Sequence, residues 1–269
     1  FEGKYDGVLG MWYGKAPGVD RSGDAIRHAN VCGVDPKGGV LLVAGDDPAS
    51  KSSTLASESE FALLHFQTPI LYPGSVQEVC DFGRIGFELS RYSGLWSALK
   101  IVTNVADGYS TIKVGPGRVT VQRPDFEWNG IPWAHTQQDA LVGPNAVRQE
   151  LEIHEGRLVA AEAFIRLNRL NKATVPTSDA KIGIVAAGKT YYDLREALDR
   201  MGLTEAELNR RGIRIFKPAV VWPLEPTTIK EFARGLDTIV VVEEKRAFLE
   251  MFIREILYAT PNAPAIYGK

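Results

Sequence analysis

The stretch 183-GIVAAGKT-190 fits the phosphate-loop pattern G-x-x-x-x-G-K-[ST] letter for letter, and its reading decides the fold of the C-terminal third of the chain. A phosphate loop needs a strand that ends before the first glycine, so that successive N–H groups can curl around the phosphate. Here the four intervening residues are Ile184, Val185, Ala186 and Ala187, the apolar middle of a strand. Ile and Val are stiff and strand-favouring. Were they the loop, only the polar lead 178-SDAK-181 would remain to supply the strand before it. The sequence therefore predicts a strand through 183–187, a tight turn at Gly188-Lys189, and Thr190 or Asp193 near the start of the next helix. The later run 237-DTIVVVEE-244 then needs no magnesium ion. Its Glu243 and Glu244 fall where a buried strand meets solvent and a helix begins, a position that favours carboxylates.

Outward from this strand, alternation continues to the C-terminus. Helices are predicted in "TYYDLREALDRMG", "TEAELNRRG", "PTTIKEFARGL" and "KRAFLEMFIREILYA", with strands in "IRIFKPAVVWPL" and "DTIVVVEE". Upstream, residues 1–113 alternate in the same way. Strand-like "GVLGMWY", "GGVLLVAGDD", "TPILYPG" and "SALKIVTNV" are separated by helical "DAIRHANVCG", "SEFALLHF" and "VQEVCDFGRIGFELSRYSG". Such alternation implies parallel sheets with helices on both faces. Between them, 114–178 reads as a connector: a Gly-, Pro- and aromatic-rich irregular loop with room for one strand, then an amphipathic helix. The expected architecture is α/β, a parallel-sheet domain at 1–113 followed by a smaller α/β domain at 179–269.

Composition narrows the function. Hydrophobic residues at 45% and charged residues at 24% suit a chain with a real core. The formal charge of −2 leaves no basic surplus for nucleic acid or an anionic bilayer. No apolar run reaches the roughly 18 residues of a membrane span, and "FEGKYDG" lacks the features of a signal peptide, so the chain reads as cytoplasmic. It opens without methionine, almost at once on a strand-like run, so an upstream continuation is expected. Cys32 and Cys80 are too few for a disulfide framework, a zinc site or an iron–sulfur cluster. The histidines, His28, His65, His135 and His154, share no metal-ligand spacing, and no nucleophile elbow is present.

Two predicted strand ends are dense in polar residues, and ligands of doubly wound folds gather at such ends. The first runs from Gly14 and Lys15 through a Pro17-Gly18 turn to Asp20, Arg21 and Ser22 at a helix start. The second follows the apolar strand 40–44: Gly45, Asp46, Asp47 and Pro48, then Lys51, Ser52, Ser53 and Thr54. Two adjacent carboxylates, a lysine and three hydroxyls exceed what capping requires, and a loop wrapped around a polar ligand would account for them.

At these loops the sequence resembles a known family. "GMWYGKAPGVDRSGDAIRHAN", "GGVLLVAGDDPASKSST", "VQEVCDFGRIGFELSRYSGLWSALK", "VVWPLE" and "VVEEKR" are similar to strings of the large, fused bacterial indolepyruvate ferredoxin oxidoreductases, in the family's order and over nearly the whole chain. The resemblance implies a 2-oxoacid:ferredoxin oxidoreductase. Such an enzyme uses thiamine diphosphate with magnesium, decarboxylates an arylpyruvate, transfers the acyl group to coenzyme A, and passes electrons through iron–sulfur clusters to ferredoxin. It further implies that 1–113 is most of a pyrimidine-type cofactor domain and 179–269 a transketolase C-terminal-like domain, in an enzyme expected to be a homo-oligomer. The family's pyrimidine-binding glutamate would precede Phe1. Its Gly-Asp-Gly diphosphate site and its cysteine clusters would follow Lys269. Lys15, Asp20 and Ser22 would lie near the pyrimidine ring, Asp46, Asp47, Ser52 and Ser53 would border the substrate, and Lys51 or Arg21 would bind the 2-oxoacid carboxylate.

Overall fold

The structure, a computed structural model, describes residues 4–268; Phe1 to Gly3 and Lys269, on which the expected continuations at either end bear, lie outside the described residues. The chain runs β1 (Leu9–Lys15), α1 (Ala16–Cys32), β2 (Gly39–Asp46), α2 (Glu60–His65), β3 (Ile70–Leu71), α3 (Val76–Ser93), β4 (Ser97–Val102) and α4 (Thr103–Ala106). A short hairpin, β5 (Glu127–Trp128) with β6 (Ile131–Pro132), is all the regular structure in the predicted loop. Then come α5 (Pro144–Glu152), a π-helical turn at Ile153–Arg157, α6 (Leu158–Leu167) and β7 (Asn171–Val175). The chain finishes with β8 (Ile182–Ala186), α7 (Gly188–Arg200), α8 (Glu205–Arg210), β9 (Ile213–Pro218), β10 (Val220–Trp222), α9 (Pro226–Ala233), β11 (Thr238–Val242), α10 (Leu249–Leu257) and β12 (Ala265–Tyr267).

Two five-stranded sheets result. The first has the order β1-β2-β4-β3-β10 and is parallel except for β10; the second has the order β12-β11-β8-β9-β7 and is parallel except for β7. The mixed α/β class with parallel sheets is as expected. The predicted strand "IRIFKPAVVWPL" is instead two strands in different sheets. Pro218 closes β9 because it has no N–H for a ladder bond. Ala219 then bridges the sheets, donating to Leu170 O at 3.3 Å and accepting from Tyr72 N at 2.9 Å. The crossing unites the interior: one apolar cluster holds Leu42, Ile70 and Ala98 of the first sheet together with Val185, Phe216 and Ile239 of the second.

Local chemistry sets the helix ends. Ser75 caps α3 by accepting from Glu78 N at 3.3 Å, and Glu78 reaches back to Gly74 N at 2.9 Å, a capping box displaced by one residue. Gly94 ends α3 at φ +83. Glu243 caps α10, its carboxylate accepting from the N–H groups of Phe248, Leu249 and Glu250, with a shortest contact of 2.7 Å. This is the helix-start role expected of the acidic strand end.

Candidate functional site

Strand β8 ends at Ala186, and Ala187 leads directly into α7, so 183–187 is extended chain and no phosphate loop forms. The expected separate turn is absent, because Gly188 is itself the first residue of the helix, at φ +52. A Cβ on Gly188 would lie 2.3 Å from the Tyr72 ring, and one on Gly74 would lie 2.0 Å from Gly188 O. The two glycines therefore let the sheets' connecting segments touch. Lys189 is ion-paired with Asp193 one turn along.

The polar loops meet at the C-terminal ends of β1, β2 and β4. Lys15, the last residue of β1, reaches Ser52 O at 3.5 Å. The segment from Asp46 to Ser59 is a closed loop tied at its base. Asp46 accepts from Ser59 Oγ at 2.6 Å and Ser59 N at 2.8 Å, while Asp47 N donates to Ser57 Oγ at 2.9 Å. The Asp47 carboxylate turns inward and accepts from Lys51 N at 2.8 Å and Ser52 N at 2.7 Å. These donors, Ser52 N–H foremost, lower its pKa to about 2. Ser53 continues the loop, and Leu55 at its tip is 77% exposed. Lys51 points outward to Asp107, 3.2 Å away. From the segment between β11 and α10, Lys245 donates to Ala56 O at 2.6 Å, and Arg246 pairs with Glu58. The loop is thus clamped from both halves of the molecule.

Arg21, Asp20 and Ser22 are placed differently from the sequence expectation. Helix α1 begins at Ala16, so Pro17 and Gly18 belong to its first turn and Asp20 lies a turn beyond the start. Its first turn carries no acidic residue. Asp20 and Arg21 are exposed on the helix and Ser22 is half-buried.

Beneath the loop lies a buried cation that the sequence reading passed over. Lys100, in the middle of β4, is 1% exposed. Its ammonium meets Glu60 at the start of α2, lies 4.0 Å from Asp46, and sits 4.3 Å over the Tyr72 ring. Burial pushes Asp46 above the usual carboxylate range against the pull of Lys100, and desolvation raises Glu244 to about 7, with Glu60 and Asp46 adding to the rise. The second sheet repeats the device. Lys217 of β9 is 7% exposed, meets Glu78 at the start of α3, and lies over the rings of Tyr191 and Tyr192 at 4.7 and 4.4 Å. The signal was available: each lysine interrupts an apolar strand, and lysine is seldom fully buried unless paired.

The edge therefore presents Lys15, Lys51 and backbone groups of the loop to solvent, while its carboxylates are engaged internally. Among the described residues no group of three or more His, Cys, Asp or Glu could hold a metal ion, and both cysteines are free. No helix among them is long and apolar enough to cross a membrane.

Comparison with known proteins agrees with the resemblance. Residues 172–269 match the indolepyruvate oxidoreductase domain. Indolepyruvate oxidoreductase subunit IorA of Archaeoglobus fulgidus is 26% identical over 236 residues, which are 88% of this chain and 34% of that protein. The chain thus spans about a third of the length of this curated relative. A 2-oxoglutarate:ferredoxin oxidoreductase from Magnetococcus marinus shares the fold at a TM-score of 0.66 and 16% identity, over 97% of this chain and 49% of its own. A split-gene transketolase shares it at 0.51 and 13%, over 97% and 65%. The two solved structures share the arrangement of the α/β units, and the curated relatives that match are oxidoreductase subunits.

Proposed function

We propose that this chain, similar to indolepyruvate oxidoreductase subunits, is the part of a thiamine-diphosphate-dependent 2-oxoacid oxidoreductase that receives the ring end of the cofactor. In this reading 1–113 is the pyrimidine-type domain, 114–178 the connector and 179–269 the transketolase C-terminal-like domain. The supporting observation is the meeting of Lys15, the 46–59 loop and Asp107 at the strand ends of a parallel sheet, in a chain similar over most of its length to an indolepyruvate oxidoreductase subunit.

The edge's carboxylates, Asp46, Asp47 and Glu60, are engaged internally, and the charged groups it turns to solvent are Lys15 and Lys51. On the family resemblance, the diphosphate, its magnesium ion and the iron–sulfur clusters are assigned to other regions or subunits of the enzyme. When bound, the cofactor supplies the nucleophilic carbon and the electron sink for decarboxylation.

This chain's residues supply position and charge. Asp46, Asp47, Ser52 and Ser53 shape the loop that borders the substrate, and Lys15 faces the ring beside it, with Asp20 and Ser22 on the adjoining helix. Lys51 or Arg21 binds the 2-oxoacid carboxylate; Lys51 is favoured because it projects from the same loop that Lys15 contacts. The substrate is an arylpyruvate of the indolepyruvate kind, the products are the acyl-coenzyme A and reduced ferredoxin, and the enzyme is a cytoplasmic homo-oligomer. Calorimetry with thiamine diphosphate and magnesium tests the division of the site. The complete enzyme should bind tightly and residues 1–269 weakly or not at all; tight magnesium-dependent binding by 1–269 alone would place the diphosphate site in this chain.

A further inference from the structure

Between α3, the end of α6 and the β7–β9 pair lies a groove of ≈ 310 Å³ that shares no residue with the 46–59 loop. Part of its wall is apolar, with Phe82, Ile85 and Leu170 among its lining residues. Its rim is cationic. Lys172 and Lys217 stand directly opposite each other across the antiparallel pair, and like charges so placed destabilise a sheet. Lys217 is relieved by Glu78 and by Tyr192 Oη at 3.3 Å. Glu78 is thereby engaged. The groove's other acid, Asp81, takes Arg118 in a two-pronged pair at 2.9 and 2.7 Å. Both carboxylates are neutralised, yet Lys172 and Arg169 remain on the rim, exposed and without a side-chain hydrogen bond or ion pair among the described residues.

Two unengaged cations beside an apolar wall have no counter-charge within the fold. They match a ligand with a doubly negative head and an apolar body, since charge-assisted contacts to a phosphate are the strong ones and the wall buries the body. We infer that this groove is a binding site for a small organic phosphate, with Arg169 and Lys172 holding the phosphate and Phe82 and Leu170 covering its apolar part. The volume is at the lower end of what small-molecule sites occupy, which suits one aromatic ring and its phosphate. Lys217, pinned between Glu78 and two tyrosine rings, fixes the floor on which Lys172 stands.

Calorimetric titration of the protein with phenyl phosphate at low salt tests the assignment. Saturable binding is expected, tighter for phenyl phosphate than for inorganic phosphate because only the former reaches the wall. The double variant Arg169→Ala/Lys172→Ala should weaken it at least about tenfold, and Lys172→Glu should do the same by repulsion. Lys189→Ala, whose lysine lies away from the groove, should bind as the unaltered protein does. Both altered side chains are exposed, so an unchanged melting temperature confirms that the fold persists. Absence of phenyl phosphate binding up to about 10 mM, or binding that survives the double substitution, would overturn the site; either result leaves the thiamine reading untouched, which uses other residues.

Discussion

Gly188 and Lys189 are neighbours with opposite importance. Gly188 combines a left-handed backbone with the Tyr72 ring where a Cβ would sit. A left-handed residue with a side chain costs roughly 1–2 kcal/mol, and overpacking adds about 1–3. Gly188→Val should therefore destabilise by roughly 2–5 kcal/mol, read as a lowered melting temperature. Lys189 makes a single ion pair to an exposed aspartate, so Lys189→Ala should change stability by less than about 0.5 kcal/mol. Comparable losses for both variants would show that the contact with Tyr72 does not hold the two sheets together. The strand across 183–187 was legible because Ile184 and Val185 have no polar loop chemistry. The role of Gly188 against Tyr72 was not, because the two are 116 positions apart and nothing local marks the contact.

Arg157 shows how an element is held. It lies in the π-helical turn between α5 and α6, fully buried, with Nε on Glu152 at 2.9 Å and Nη1 on Val31 O at 3.2 Å at the end of α1. Gly33 leaves room for it, since a Cβ there would lie 2.6 Å from the guanidinium. Breaking a buried pair by removing one partner costs roughly 3–5 kcal/mol. Arg157→Ala should lose about that much in a denaturant titration and speed proteolytic cutting between 134 and 143, where the connector would undock. An unchanged cutting rate would mean that Trp133 and its neighbours anchor the connector without Arg157. The amphipathic helix of the connector was readable from the spacing of Leu158, Ala161, Phe164, Ile165 and Leu167; Ala161, Phe164 and Ile165 are buried, whereas Leu167, the last residue of α6, is exposed. Strand β7 was not, because it follows α6 after a three-residue link with no Gly or Pro to mark it. The division of 213–222 between two sheets was equally hidden: Pro218 signals an end, but not which sheet receives the next three residues.

At the scale of the molecule, stability should fall between about pH 5 and 8. Burial raises Asp46 and Glu243, and it raises Glu162 to about 7. A carboxyl whose folded pKa lies above its unfolded one binds more protons in the folded state, so stability is lost as pH rises through that interval. Glu244 is raised likewise, but it is exposed, and water screens its share. Asp47 and Glu207, held near 2, act in the opposite sense and lose their contribution as pH falls below about 4. Melting temperature against pH should therefore peak near pH 5, and Glu162→Gln should flatten the decline above it. A flat profile from pH 5 to 8 would mean that these carboxyls are solvated in the folded protein.

Function at this scale rests on which lysine meets a ligand. Lys51 projects from the loop at the strand ends, whereas Lys189, despite its phosphate-loop setting, is tied to its own helix. The deciding measurement is thiamine-diphosphate-dependent reduction of ferredoxin by the complete enzyme with an arylpyruvate as substrate. The predicted result is turnover that Lys51→Ala lowers by about ten- to a hundredfold, the effect of losing a charge-assisted bond to a carboxylate, and that Lys189→Ala leaves within about twofold. Turnover independent of thiamine diphosphate, or lost with Lys189 and indifferent to Lys51, would contradict the account.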